Sequence, residues 1–365
     1  MLPLEGLEVV AIEQAVAAPF ASSRLADAGA HVVKIERPEG DFARGYDDVA
    51  AGQSSYFVWL NRGKKSVTLN LASDTGKATL GVLLKKADVL IQNLKPGALA
   101  RLGFDPKQLA DEFPRLISCS ISGYGDVGPL ADRKAYDLLI QAESGLCSIT
   151  GGPSEAARVG MSIVDIATGA TAYSAILEAL IRRGITGQGA QISISMFDVM
   201  ADWLTVPLLN HEGGKSPKRV GLAHPSIAPY GVFQPKSGAP ILISVQSNRE
   251  WVELCANFLG NPSLGTDTRF STNVARVSNR AETDAVVAEA FGRYDSATAI
   301  ALLVKANIAL ASVNDMAGLA DHQHLRRITV DSPNGPISFP APAAIFANEI
   351  RSYGPVPALN ALKEF

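Results

Sequence analysis

Short apolar runs alternate with stretches of helical spacing through the first half of the chain. Residues 7–12 form a brief run the length of a buried strand. Residues 20–28 carry helical spacing and stop at Gly29, and residues 31–36 read as a second strand closed by Arg37 and Pro38. A helix over 76–86, a strand over 88–92, a short helix over 96–102 with Pro96 at its start, and a strand over 116–120 continue the alternation. The longest helical stretch is 163–183; it runs into Gly184 and a glycine-rich turn, and residues 191–195 then alternate as a strand. Strand and helix in turn imply parallel strands with helical crossovers, an α/β doubly wound, Rossmann-like core.

The texture changes near Gly213 and Gly214. Strand-like pieces at 232–234 and 241–245 precede helical stretches at 249–259, 281–291 and 297–306. The pattern predicts a large domain over 1–205 and 325–365 and a smaller α+β domain over 215–320. A length of 365 residues suits about two domains. Hydrophobic residues at 47% and charged residues at 19% fill a sizeable core and exclude disorder.

A net charge of -3 argues against a nucleic-acid protein but permits local basic pockets. The first residues lack a basic segment followed by an apolar one, and no uninterrupted apolar run reaches about 18 residues. The expectation is a cytoplasmic protein without a membrane span. Cys119, Cys147 and Cys255 are too scattered for a disulfide framework and read as small buried hydrophobes. The five histidines do not cluster with other ligands, so no metal is expected.

Gly123, Gly125 and Gly128 satisfy G-x-G-x-x-G after a strand, but Pro129 follows and no helix opens there to receive a pyrophosphate. The first strand–helix turn carries alanines where a dinucleotide fold places glycines. Gly214-Lys215-Ser216 ends like a P-loop, but Leu209 occupies the required upstream glycine position. Asp165 opens a helix rich in small residues. Pattern alone favours a helix cap for it; the alternative is a carboxylate exposed to a ligand and able to form a covalent intermediate. Singly, Arg37, Arg101 and Lys134 suit solvated surface charge; together they suit the phosphates of an anionic cofactor.

The chain resembles family III CoA-transferases of the CaiB/BaiF type along nearly its whole length. The carrying stretches are residues 4–10 (LEGLEVV), 32–38 (VVKIERP), 61–66 (NRGKKS), 88–104 (DVLIQNLKPGALARLGF), 137–145 (DLLIQAESG), 165–183, 186–189 (TGQG), 224–231 (HPSIAPYG) and 268–270 (TRF). The resemblance implies a Rossmann-like domain built from both chain ends and two interlocked protomers in a homodimer. It implies acyl-CoA and a carboxylic acid as substrates, with no permanently bound cofactor and no metal. Asp165 falls on the family's catalytic aspartate. Arg37, Arg101 and Lys134 fall on CoA-contacting positions, Asn93, Leu94, Leu71 and Ala17 near the adenosine and pantetheine path, and Tyr136 on an active-site tyrosine.

The implied reaction moves CoA from a donor thioester, succinyl-CoA in the first instance, to a short carboxylic or dicarboxylic acid through an acyl-aspartyl anhydride and an aspartyl-CoA thioester. Oxyanion donors would be backbone N–H groups, with Gln14 and Gln141 as side-chain candidates. His224 is a candidate for a distal carboxylate. Val16 stands where the oxalate-handling branch has a glutamine, and that branch's glycine tetrad has no counterpart between Val232 and Asn248, which argues against oxalate or formate. Two alternatives stand beside this. An α-methylacyl-CoA racemase would need a histidine where Tyr136 stands, and tyrosine is a poor base at neutral pH. A non-catalytic CoA-binding subunit would not need Asp165.

Overall fold

The structure is a computed structural model that describes residues 1–362. Six strands form one wholly parallel sheet: β1 (Glu8–Ile12), β2 (His31–Glu36), β3 (Lys65–Thr68), β4 (Val89–Gln92), β5 (Ile117–Ser122) and β6 (Ala190–Ser195), in the order β3-β2-β1-β4-β5-β6. Strand order reverses between β1 and β4, as in a doubly wound dinucleotide-binding sheet.

Side chains alternate between faces along each central strand. Val9, Ala11, Val32, Val89 and Ile91 join the core beneath the Ala17–Asp27 and Ile163–Thr186 helices. Val10, Ile12, Val33, Ile35 and Leu90 pack on the other face with Leu80 and Leu84 of the Asp74–Leu84 helix. Burial on both faces accounts for the nearly continuous apolar runs. Each helix predicted for this part of the chain forms, with ends shifted by a few residues. β3 was not predicted: four residues reading Lys-Ser-Val-Thr on the sheet edge carry little apolar signal.

The Ile163–Thr186 helix has 24 residues and is apolar and long enough, by length and composition, to cross a membrane. Its Val164, Ala167, Ala172 and Ile176 are buried in the core, which accounts for that composition.

The chain divides into two compact units. One comprises Met1–Leu146, Arg158–Leu209 and Arg326–Phe365; the other comprises Cys147–Ala157 and Asn210–Leu325. The tail of the first holds an antiparallel pair, β10 (Arg327–Val330) and β11 (Ile337–Pro340), and Val330 and Val356 pack on Phe57 and Val58. The second unit has an antiparallel sheet of β7 (Tyr230–Phe233), β8 (Ile241–Ser244) and β9 (Ala309–Ser312). Helices Asn248–Asn257, Arg280–Phe291 and Ser296–Lys305 enclose Trp251, Phe258, Phe270 and Phe291 with it. Cys119 and Cys255 are buried, and burial pushes both thiols up to about 12. Cys147 is only half-buried, a departure from the reading of all three as core.

Candidate active site

Two clefts open over the carboxyl ends of the parallel strands. The larger, about 710 Å³, is walled by the segments that leave β1, β4 and β5, and by residues 132–138, Arg158, Ser162 and Asp165. The smaller, about 350 Å³, is walled by the segments that leave β1, β2 and β3. Gln14 and Leu94 line both. The junction therefore sits where β1 meets β4, the crevice in which open α/β sheets bind ligands.

The turn after β1 is held from two sides. Asn93 accepts from the Gln14 N–H at 3.0 Å and donates to the Gln14 carbonyl at 2.8 Å. Asp41 accepts from the Ala15 N–H at 3.1 Å, and Ala15 adopts φ 63°, a left-handed conformation costly for a residue with a Cβ. Behind the turn lies a buried charge network. Glu13 receives Lys64 at 2.6 Å and Lys34 at 3.5 Å, and Lys34 reaches Asp41 at 2.9 Å, all with fully buried side chains. Burial and the neighbouring Lys34 hold the Lys64 ammonium down to about 8 against the pull of Glu13. No local sequence pattern joins these residues, because Glu13, Lys34, Asp41 and Lys64 lie on separate segments that meet only in the fold.

The Ala17–Asp27 helix starts at Val16 with no side-chain cap. Its first N–H groups have no intrahelical partner, and Ala17 lines the larger cleft. Gly169 lets the helix that carries Asp165 approach closely: a Cβ there would lie 2.5 Å from the Ala17 carbonyl oxygen and 2.7 Å from Phe20 Cβ.

Asp165 lies in the first turn of the Ile163–Thr186 helix and lines the larger cleft. It is not the cap. Asp137, 28 residues earlier, accepts from the Val164 N–H at 2.8 Å and the Asp165 N–H at 3.2 Å. Gln141 donates to the other Asp137 oxygen at 2.7 Å and accepts from the Val159 N–H at 2.8 Å. With the helix end already neutralised, the Asp165 carboxyl accepts no hydrogen bond among the described residues. Burial, and secondarily the Asp137 charge, push it up to about 7. Tyr46, raised to about 12 chiefly by burial and also by Asp41 and Asp165, lines the same cleft with Phe42 and Tyr56.

Of the residues singled out in the sequence, Asp165, Lys134, Tyr136, Asn93, Leu94, Ala17 and Gln14 line the larger cleft. Arg37 and Leu71 line the smaller one. Arg101 ends the Ala98–Arg101 helix, is exposed and borders neither cleft. Gln141 is fully buried, with both ends of its amide engaged, which leaves it no donor for a substrate. His224 belongs to the second unit, stacked on Tyr230, with Nδ1 accepting from the Ser226 N–H.

A wholly parallel, doubly wound sheet with a cleft over its switch point, lined by a carboxylate, is the arrangement in which open α/β folds bind their ligands. The chain belongs to CoA-transferase family III, whose model matches residues 4–361. It is 38% identical over 323 residues to an acetyl-CoA:oxalate CoA-transferase of Acetobacter aceti, covering 87% of this chain and 82% of the relative. It is 34% identical over 356 residues to a succinyl-CoA:glutarate CoA-transferase of Mus musculus, covering 95% and 81%. A crystal structure of a CaiB/BaiF family protein from Brucella suis superposes with a TM-score of 0.82 at 36% identity, covering 99% and 97% of the two chains. The protein is a family III CoA-transferase that moves CoA between an acyl-CoA and an acid.

Proposed function

We propose that Asp165 is the nucleophile of this transfer and that a short carboxylic or dicarboxylic acid receives the CoA from succinyl-CoA or a similar donor. The observation that carries the reading is the Asp165 carboxyl itself, unpartnered among the described residues and facing the larger cleft. A carboxylate that gives up no hydrogen bond on attack, with its pKa near the working pH, is a better nucleophile than a solvated one.

The steps balance without an added reagent. The Asp165 carboxylate attacks the donor thioester carbonyl, the C–S bond breaks, and CoA thiolate leaves an acyl-aspartyl anhydride. The thiolate attacks the aspartyl carbonyl, releases the donor acid and leaves an aspartyl-CoA thioester. The acceptor carboxylate then attacks that thioester, and the displaced thiolate takes the acceptor acyl group from the new anhydride, restoring Asp165. Each tetrahedral oxyanion needs preorganised donors. The uncapped N–H groups at the start of the Ala17–Asp27 helix and the Gln14 amide on the cleft wall suit that task. Lys134 in the larger cleft and Arg37 in the smaller suit the anionic end of CoA.

Among the described residues the lining of neither cleft includes a histidine, so the two-base racemase reading gains no support there. The family's interlocked homodimer is the assembly we propose, read by sedimentation.

The test is trapping. Incubation with acyl-CoA and hydroxylamine should convert Asp165 to its hydroxamate, located by peptide mass spectrometry, and Asp165→Ala should abolish exchange. An unmodified Asp165 during turnover overturns the mechanism. The acceptor is found by offering a panel of free acids, oxalate included because a relative is named for it. Val16 on the cleft wall predicts that oxalate performs poorly.

A further inference from the structure

The charged groups of the larger cleft leave one guanidinium without an acidic partner. Four cations line it: Lys95, Arg133, Lys134 and Arg158. Lys95 pairs with Asp132 at 3.2 Å, and Arg133 pairs with Glu143 at 2.7 Å. The cleft's carboxylates are equally accounted for. Asp47 accepts from the Ser55 N–H at 2.8 Å and its hydroxyl at 2.7 Å, Asp132 holds Lys95, and Asp137 is taken by Gln141 and the helix start. Among the described residues of this lining Asp165 alone stands unengaged, and it is the reacting group proposed above. Lys134 suits the CoA end. Arg158 makes one hydrogen bond, to the Gly160 carbonyl at 3.2 Å, and has no ion pair among the described residues.

The segment that carries Arg158, itself exposed, is tied to the Asp165 helix start through two buried side chains. Val159, the next residue, donates to Gln141; Gln141 donates to Asp137; Asp137 accepts from the Asp165 N–H. Three hydrogen bonds, two of them involving the buried Gln141, thus tie the segment beside Arg158 to the backbone of the nucleophile. Phe42, Tyr46 and Tyr56 add an aromatic wall to the same cleft.

We propose that Arg158 takes the far carboxylate of a dicarboxylic acid whose near carboxylate reacts at Asp165, and so selects dicarboxylic over monocarboxylic acids. This rests on the assignment of Asp165 above. A planar guanidinium matches a carboxylate with two parallel hydrogen bonds, and the aromatic wall suits the methylene chain between the two charged ends.

The experiment compares glutarate with pentanoate, acids of equal carbon number, as acceptors from acetyl-CoA. The kcat/KM ratio of glutarate to pentanoate should fall on the order of 10- to 100-fold in Arg158→Gln, the loss expected of a charged hydrogen-bonded pair. Arg158→Lys should recover part of it, because an ammonium lacks the fork. A ratio within about twofold of the unaltered protein overturns the proposal, as does a loss of affinity for free CoA with the ratio held, which would assign the guanidinium to phosphate. Two further measurements separate this proposal from the one it rests on. Hydroxylamine trapping with acetyl-CoA alone reads the aspartyl chemistry without an acceptor. Calorimetric binding of glutarate to the CoA-loaded protein reads Arg158 without turnover. Trapping that fails while glutarate binds more weakly to Arg158→Gln sinks the nucleophile and keeps the arginine; trapping that succeeds with equal glutarate binding does the reverse.

Discussion

Replacing Asp165 by Asn should stabilise the protein while abolishing its activity, and the gain should depend on pH. A carboxyl raised from 3.8 to about 7 favours its neutral over its charged form by about 4 kcal/mol more in the folded chain than in the unfolded one. Between about pH 4 and pH 7 the folded protein binds more protons than the unfolded chain, so stability falls as pH rises through that range. Above about 7 the whole cost is present. Asn has nearly the same shape and cannot ionise. Solvent reaching the cleft screens part of the penalty, so the expected gain is about 2–4 kcal/mol at pH 8 and near zero at pH 4. Urea unfolding of both proteins at several pH values, followed by fluorescence, measures the difference. A difference that is flat with pH, or an Asn variant less stable at pH 8, would refute the account of Asp165 as a carboxyl desolvated for chemistry at the expense of stability.

Asp137→Asn keeps a capping oxygen but removes the smaller of the two causes that raise Asp165; the acidic midpoint of kcat/KM, expected near pH 7 for the unaltered protein, should move partway down, as a pH–rate profile will show. Lys64→Met leaves the buried Glu13 with the more distant Lys34, at 3.5 Å, as its cation and the Ser22 hydroxyl at 2.6 Å. A loss of about 3–5 kcal/mol is expected on denaturant unfolding, as when one partner of a buried pair is removed. Gly169→Ala places a methyl 2.5 Å from the Ala17 carbonyl oxygen. It should cost about 1–3 kcal/mol and raise the KM for acyl-CoA by displacing the Ala17 end of its helix, measured by unfolding and steady-state kinetics together.

The core strands were legible because both of their faces are buried, so β1, β2, β4 and β5 stand out as apolar runs bounded by turn residues. β3 was not, because an edge strand of four residues needs only Val67 in the core. The site divides in the same way. Asp165 was visible as an acid opening a small-residue helix, but its pattern is that of a cap. What distinguishes it is that Asp137, remote in sequence, already performs the capping. Such a contact is tertiary and leaves no local trace. The pairing of Glu13, Lys34 and Lys64 was hidden for the same reason, since three charges on separate elements become one network only after the sheet assembles. Gln141 was drawn in by residue type, and only its tertiary setting, buried with both ends of its amide engaged, shows it serving Asp137 and Val159.

Gln14 and Leu94 belong to both cavities. A carrier gripped at one end by the hollow beside β2 and β3 and reacting at the other beside Asp165 must cross this shared wall. The nucleotide half would then never approach the carbon under attack, yet its grip would fix where the sulfur arrives. Energy gained far from the reaction can in this way be spent on alignment rather than on tighter holding. Thioesters trimmed to the sulfur-bearing arm would be turned over more slowly even at saturation.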